Sequence, residues 1–264
     1  MNTNQPIIGN YNTPNYSAIE SINNSQLINI NGPENFIYFD DPLIELSQSI
    51  YSIIRQPEEC LTYCTECCVD NSYDVFIKTT SNQLKYAFKC KEQGSCCSRC
   101  CCTKGCRGFD IQIIHVTSLI ELKKNISKPF IQIRKPCTCE CCCPKKPIIE
   151  VTIINLGIFL GIIKADSNCC STPCIEIYDS FKNLRYKIVG ESCQTGICGP
   201  KICDTNYKIK RENIEVGTLI KLGAGFGKFF SKGDSYQLTF PFDSTPEEKM
   251  LLIVAGILMD YLLF

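Results

Sequence analysis

The sequence is short of the residues that most catalytic sites use. It has one histidine, His115, in 264 residues. It contains no G-x-S-x-G, and GAGFGK at Gly223–Lys228 lacks the spacing of a P-loop or a dinucleotide fingerprint. No nucleophile can be matched to a base, so an enzyme is the least supported class. Net charge is missing too, because 27 basic and 27 acidic side chains cancel. No global field therefore draws the chain to nucleic acid or to an anionic bilayer, and any such attraction must be local. Aromatic residues are sparse among the basic ones, so no nucleic-acid partner is expected. The opening MNTNQPIIGN lacks the basic n-region and apolar run of a secretory leader, which predicts a chain that is not secreted and sits in a reducing compartment.

What is abundant is cysteine, with 22 residues, several of them in runs such as Cys100-Cys101-Cys102 and Cys141-Cys142-Cys143. In a reducing compartment these thiols are metal ligands, acylation sites or inert side chains sooner than bridges. Two C-x₂-C pairs, Cys64/Cys67 and Cys97/Cys100, would suit an all-thiolate zinc site. The vicinal runs fit one tetrahedral ion poorly, because neighbouring side chains of extended backbone point to opposite faces. Acylation asks for less: an accessible loop thiol with basic neighbours to hold it at a membrane. CTCECCCPKK, Cys137–Lys146, offers thiols with Arg134 and Lys135 before them and Lys145 and Lys146 within the stretch. His115 reads as a strand imidazole satisfied by a hydrogen bond.

Residues 1–35 hold ten asparagines and no sustained apolar period, which predicts a disordered tail ahead of a domain over 36–264. DPLIELSQSIYSIIRQP then offers Asp41 as an N-cap and Pro42 at the first helical position. Leu43, Leu46, Ile50, Ile53 and Ile54 follow at helical spacing, predicting a helix that ends before Pro57. Beyond it the period shortens to two. LKYAFK sets Leu84, Tyr86 and Phe88 against Lys85, Ala87 and Lys89, and LRYKIV repeats the device with Leu184, Tyr186 and Ile188. YDVFIK, FDIQIIHV, IIEVTII, IFLGIIK, CIEIYD, NYKIKR, EVGTLIKL and SYQLTF are further short runs separated by Gly, Pro, Asn, Ser or Cys. Many short strands at this spacing mean a sandwich or barrel, with the cysteine clusters in its loops.

The chain ends in PEEKMLLIVAGILMDYLLF, where Thr245 caps a helix with Pro246 at N1 and Glu247 and Glu248 in the first turn. From Met250 on it is apolar on every face except at Asp260, so it belongs in a protein core or in lipid. Fifteen residues rise only about 22 Å against a ~30 Å hydrocarbon core, which favours the protein interior.

CCCP at Cys141–Pro144, the tetrapeptide FPFD at Phe240–Asp243 and the apolar terminal helix after it, in that order, resemble the phospholipid scramblase family. The upstream order PLIELSQSIYSII, NSYDVFIK, LKYAFK, CCSRCCC adds to the likeness, which spans roughly Asp41 to Phe264. That family is similar to tubby-like proteins, and the resemblance implies a mainly β fold: a closed, roughly 12-stranded barrel around a hydrophobic C-terminal helix, 246–264. It also implies palmitoylation at Cys141, Cys142 and Cys143, with Cys139 as an extra site. The family's second cysteine pair is replaced here by Lys145 and Lys146.

The family's EF-hand-like calcium segment falls on KGDSYQLTFPFD, with Asp234 and Asp243 as the carboxylates and Glu247 and Glu248 as helpers. Lys232, Tyr236 and Gln237 stand where a carboxylate, a further ligand and the turn glycine are expected, so the implied Ca²⁺ binding is weak. The activity implied is calcium-activated, ATP-independent, bidirectional phospholipid scrambling at the cytoplasmic face of the plasma membrane, with membrane phospholipids as partners and a homo-oligomer as one source of a lipid path. The alternative is a membrane-tethered lipid-binding or regulatory module without intrinsic scrambling. Its headgroup contacts would come from Lys208, Lys210, Arg211, Lys221, Lys228 and Lys232.

Overall fold

A computed structural model of the chain describes residues 41–57, 71–80, 84–93, 108–117, 128–136, 148–166, 174–190, 204–222 and 235–262. The expected tail over 1–35 lies outside them. Helix α1, Pro42–Ser47, is followed by twelve strands: β1 Ser49–Arg55, β2 Ser72–Thr79, β3 Leu84–Gln93, β4 Phe109–His115, β5 Pro129–Lys135, β6 Ile148–Ile153, β7 Ile158–Asp166, β8 Cys174–Asp179, β9 Leu184–Gly190, β10 Thr205–Arg211, β11 Ile214–Leu222 and β12 Ser235–Thr239. Helix α2, Pro246–Leu262, follows β12. Each strand pairs antiparallel with its neighbours in sequence, and β1 pairs with β12, so the sheet is a closed barrel with no free edge.

The mainly β, closed, 12-stranded architecture and its C-terminal helix are as expected. Three local expectations were not met. The helical period over 41–56 holds for one turn and a half; Asp41 does cap it, accepting from Leu43 N at 2.8 Å. The rest, SIYSIIR, is β1. Its β-branched and aromatic residues suit a pleated wall, and pairing on both sides satisfies a ladder that a helix would leave open. PFIQIRK is likewise a strand, β5, where the sequence suggested only a basic approach to the thiols; Lys135 points inward and is 2% exposed. In LKYAFK the faces are reversed. Lys85 and Ala87 face the interior while Leu84 and Tyr86 face outward, and a bulge opposite Val75 and Phe76 then turns Phe88 and Cys90 inward. Lys85 is inside because Glu45 of α1 waits for it there.

Apolar side chains from every wall meet α2, whose residues from Met250 to Met259 are buried. No helix among the described residues is long and apolar enough to cross a membrane. Thr245 and Glu248 form a reciprocal cap at the start of α2: Glu248 N donates to Thr245 Oγ1 at 3.3 Å and Thr245 N to Glu248 Oε2 at 3.2 Å. One turn in, the Lys249 ammonium donates to the carbonyls of Leu46, Ser47 and Ser49 at 2.8–3.1 Å, which spends its three protons on the end of α1 and the start of β1.

The wall approaches itself closely at Gly161, where an ideal Cβ would lie 2.1 Å from the Tyr178 carbonyl oxygen. Gly161→Ala is therefore expected to lower stability by about 1–3 kcal/mol. The check is a denaturant midpoint that falls while the slope stays unchanged.

Up-and-down connectivity gives the barrel two distinct rims. The described connections β6–β7, β8–β9, β10–β11 and β12–α2 lie with α1 at one; the ends of β1, β3, β5, β7, β9 and β11 and the starts of β2, β4, β6, β8, β10 and β12 make the other. Of the 22 cysteines, all but Cys90 and Cys174 fall in the sequence between strands and lie outside the described residues.

Candidate functional site

At the α1 rim two polar clusters fasten the helices to the wall. The first is centred on Glu45, which is fully buried. One carboxylate oxygen meets Lys85 Nζ at 3.1 Å and the other His115 Nε2 at 2.9 Å. His115 thus plays the structural part expected of it, satisfied by a hydrogen bond, with Phe88 packed 5.7 Å from its ring. The triad ties α1 to β3 and β4, while Lys249 ties it to α2.

The second cluster is centred on Glu248 and is open to solvent on one side. Arg185 Nε donates to Glu248 Oε1 at 2.6 Å and the Tyr186 hydroxyl to Oε2 at 2.8 Å. Arg211 lies over the Tyr186 ring at 4.9 Å, donates to its hydroxyl, and donates through Nη1 to Asp243 Oδ2. Burial, and then the bond to Glu248, pushes the Tyr186 phenol well above its ordinary value. Four segments meet here: β9, the end of β10, the turn after β12 and the first turn of α2.

Of the residues expected to bind calcium, Asp234 lies outside the described residues and Asp243 is in this cluster. The Arg211 guanidinium beside Asp243 holds its carboxyl below the usual carboxylate range. One carboxylate paired with a guanidinium is not by itself a hard-cation site, which needs six to eight oxygens. Glu248, a suggested helper, is turned inward to Arg185 and Tyr186, whereas Glu247 is exposed. Among the described residues no group of three or more His, Cys, Asp or Glu could hold a metal ion.

The lowered Asp243 value fixes the sign of a pH effect. A carboxylate depressed in the fold contributes stability that is present above its unfolded value and lost as pH falls through the folded one. Asp243 is 65% exposed, so the contribution is held to under about 1 kcal/mol by solvent screening. Asp243→Asn should be slightly less stable than the parent at neutral pH, and the two unfolding midpoints should converge in acid.

The expected acylation sites Cys139, Cys141, Cys142 and Cys143 lie outside the described residues. Cys90 is fully buried, and burial pushes its thiol up, so it is inert. Of the basic residues suggested for headgroups, Lys208 pairs with Glu215 at 3.7 Å, and Lys228 and Lys232 are outside the described residues. Lys221 is a correction: it is only 4% exposed, packed 5.6 Å from the Tyr236 ring on the inner face. Arg185 and Glu45 were not singled out from sequence, and Tyr186 only for its place in the alternation of LRYKIV. The T-x-x-E spacing of Thr245 and Glu248 was the one signal that could have marked Glu248 as more than a first-turn acid.

Comparison with known proteins finds relatives along the whole described barrel. The Scramblase family model matches residues 36–264. Phospholipid scramblase 1 of Homo sapiens is 27% identical over 223 residues, 83% of this chain and 64% of that protein. Phospholipid scramblase 1 of Mus musculus is 25% identical, with 83% and 62% covered. Phospholipid scramblase 2 of Homo sapiens is 27% identical over 225 residues, 83% of this chain and 69% of that protein. The chain thus spans a little under two thirds of the length of the scramblase 1 relatives. With the match running from before α1 through α2, the chain belongs to the Scramblase family.

Proposed function

We propose that this chain moves phospholipids in both directions between the leaflets of a membrane, without ATP and in response to calcium. The observation that carries this reading is the family match, which takes in the whole barrel and its helix. Burying an ionised headgroup unpaired is prohibitive, so lipid movement needs a polar path past the hydrocarbon. The barrel does not offer one through its middle, because α2 fills it. The path would then run along an outer surface that disorders the bilayer, or between copies of the chain.

Anchoring is proposed through thioesters on Cys139, Cys141, Cys142 and Cys143, with the cytoplasmic face of the plasma membrane as the location. Its support is the resemblance. Several acyl chains beside Lys145 and Lys146 would meet the two-signal requirement for stable attachment. Hydroxylamine should release fatty acid from cell-derived protein, and a Cys139/Cys141/Cys142/Cys143 serine variant should yield markedly less.

Calcium is proposed to act through Asp234 and Asp243, with low affinity. The test is redistribution of labelled phospholipid in liposomes holding the purified chain, with and without calcium, beside an Asp234→Ala, Asp243→Ala variant. Calcium-dependent movement that the variant loses is the expected result. Movement no faster than in empty liposomes would overturn scrambling and leave the second reading, a membrane-tethered lipid-binding module, which the filled barrel favours.

A further inference from the structure

Ten large apolar side chains stand out for exposure among the described residues, and all but Ile148 lie at the α1 rim. They sit on tips rather than in a groove. Phe181 is 84% exposed, Ile214 68%, Leu184 45% and Phe242 wholly so. Rigid turns hold them out. Asp179 Oδ1 accepts from the amides of Phe181 and Asn183, with Lys182 between them at φ 65°. Ile214 follows the tight turn at Glu212 and Asn213, both left-handed at φ 48° and 71°. Phe242 is pushed out of FPFD by a turn in which Ser244 bonds back to the Pro241 carbonyl, while Phe240 is buried. Turns so well bonded do not fold these side chains away.

Directly behind the tips are guanidinium groups. Arg185 adjoins Leu184 and is 40% exposed; Arg211 ends β10, is paired with Ile214 across the hairpin, and is 25% exposed. Among the described residues Arg211 Nε, itself buried, has no hydrogen-bond partner, and the carboxylate on the outer arm of Arg211, Asp243, is the most exposed member of the cluster. Apolar groups outermost with cations one residue behind match the depth order of a lipid leaflet, where phosphates lie just outside the hydrocarbon. Separate points on successive hairpins suit a fluid surface better than a rigid partner, which would call for one continuous patch. Exposed Glu212 and Glu247 keep the rim from being basic, so attraction to anionic lipid is not the driving force.

We infer that the α1 rim is a lipid-docking face. Phe181, Leu184, Ile214 and Phe242 enter the interface of a phospholipid bilayer, and Arg211 and Arg185 meet lipid phosphates behind them, Asp243 giving way. This rests on the reading that the chain works on membrane phospholipid. It adds which face does so, the rim at which β8–β9, β10–β11 and β12–α2 turn.

The chain has no tryptophan, so a substituted one reports alone. Full-length protein made in bacteria, hence without acyl chains, carries Phe181→Trp, Phe242→Trp or, on the other rim, Ile148→Trp. Each is mixed with phosphatidylcholine vesicles, with and without phosphatidylserine, having brominated acyl chains. Expected are a blue shift and quenching at 181 and 242, persistence at raised salt, and no quenching at 148. The Phe181→Ser, Phe242→Ser pair, exposed and so neutral to folding, should lower vesicle partitioning roughly tenfold or more. Arg211→Gln should lower it less. Absence of quenching at 181 and 242, or equal quenching at 148, overturns the assignment. So does abolition by inorganic phosphate alone, which marks a free-anion site, or a blue shift that grows with protein concentration without lipid, which marks a second copy. Scrambling without quenching at 181 would sink the docking face and not the function; quenching without scrambling would do the reverse.

Discussion

Glu45→Leu is expected to cost the barrel about 3–5 kcal/mol, because it breaks a buried ion pair by removing the carboxylate that faces the Lys85 ammonium. Glu45 is fully buried and Lys85 nearly so, and the two meet at 3.1 Å on the inner side of β3. His115 loses its acceptor in the same stroke. Most of that loss is the desolvation of the charge that stays behind and not the worth of the pair. Glu45→Leu with Lys85→Met should therefore recover much of it, since an apolar pair of similar volume often matches a buried ion pair. Chemical denaturation of the two single variants and the double one closes the cycle. A double variant no better than the worse single one would mean that α1 is held by something other than this triad.

Ile253→Asp should do more. Ile253 lies mid-way along α2, fully buried against the barrel wall, where a carboxylate has neither water nor partner. The loss would be several kcal/mol, a large part of the ~5–15 kcal/mol that holds a typical domain together. The expected outcome is a chain that fails to give a cooperative unfolding transition, whereas Ile253→Leu should cost under about 1.5 kcal/mol. A spanning helix outside the barrel would give a different pattern: the aspartate would impair membrane insertion and leave the barrel's own transition alone.

Much of this fold was legible because its strands obey a period of two. Ten of the twelve announced themselves in that way, and the closed barrel that houses α2 followed from the family likeness. The failures share a cause. In SIYSIIR, isoleucines spaced for a helix also satisfy a strand, and only pairing with both β2 and β12 decides between them. In LKYAFK a lysine faces inward because a glutamate forty residues earlier in the chain reaches it, and a bulge then shifts the phase. Neither can be read locally, since each depends on a tertiary partner. The α1-rim cluster was half visible: Asp243 and Arg211 were singled out separately, for calcium and for headgroups, and the structure makes them partners of one another. FPFD looked like a family mark, whereas its two phenylalanines do opposite things, Phe240 filling the core and Phe242 standing in solvent.

The placement of α2 inside the barrel is the claim on which the filled interior, the lipid path and the docking rim all depend. The measurement that tests it most directly is alkaline carbonate extraction of membranes carrying the full chain, after hydroxylamine has removed any thioester-linked acyl chains. With α2 in the barrel, only interfacial tips hold the deacylated protein, and carbonate should release it to the supernatant. Retention in the membrane pellet, with α2 protected from protease added to both sides, would mean that the helix leaves the barrel for the bilayer, and the interior described here would be wrong for the membrane-bound state.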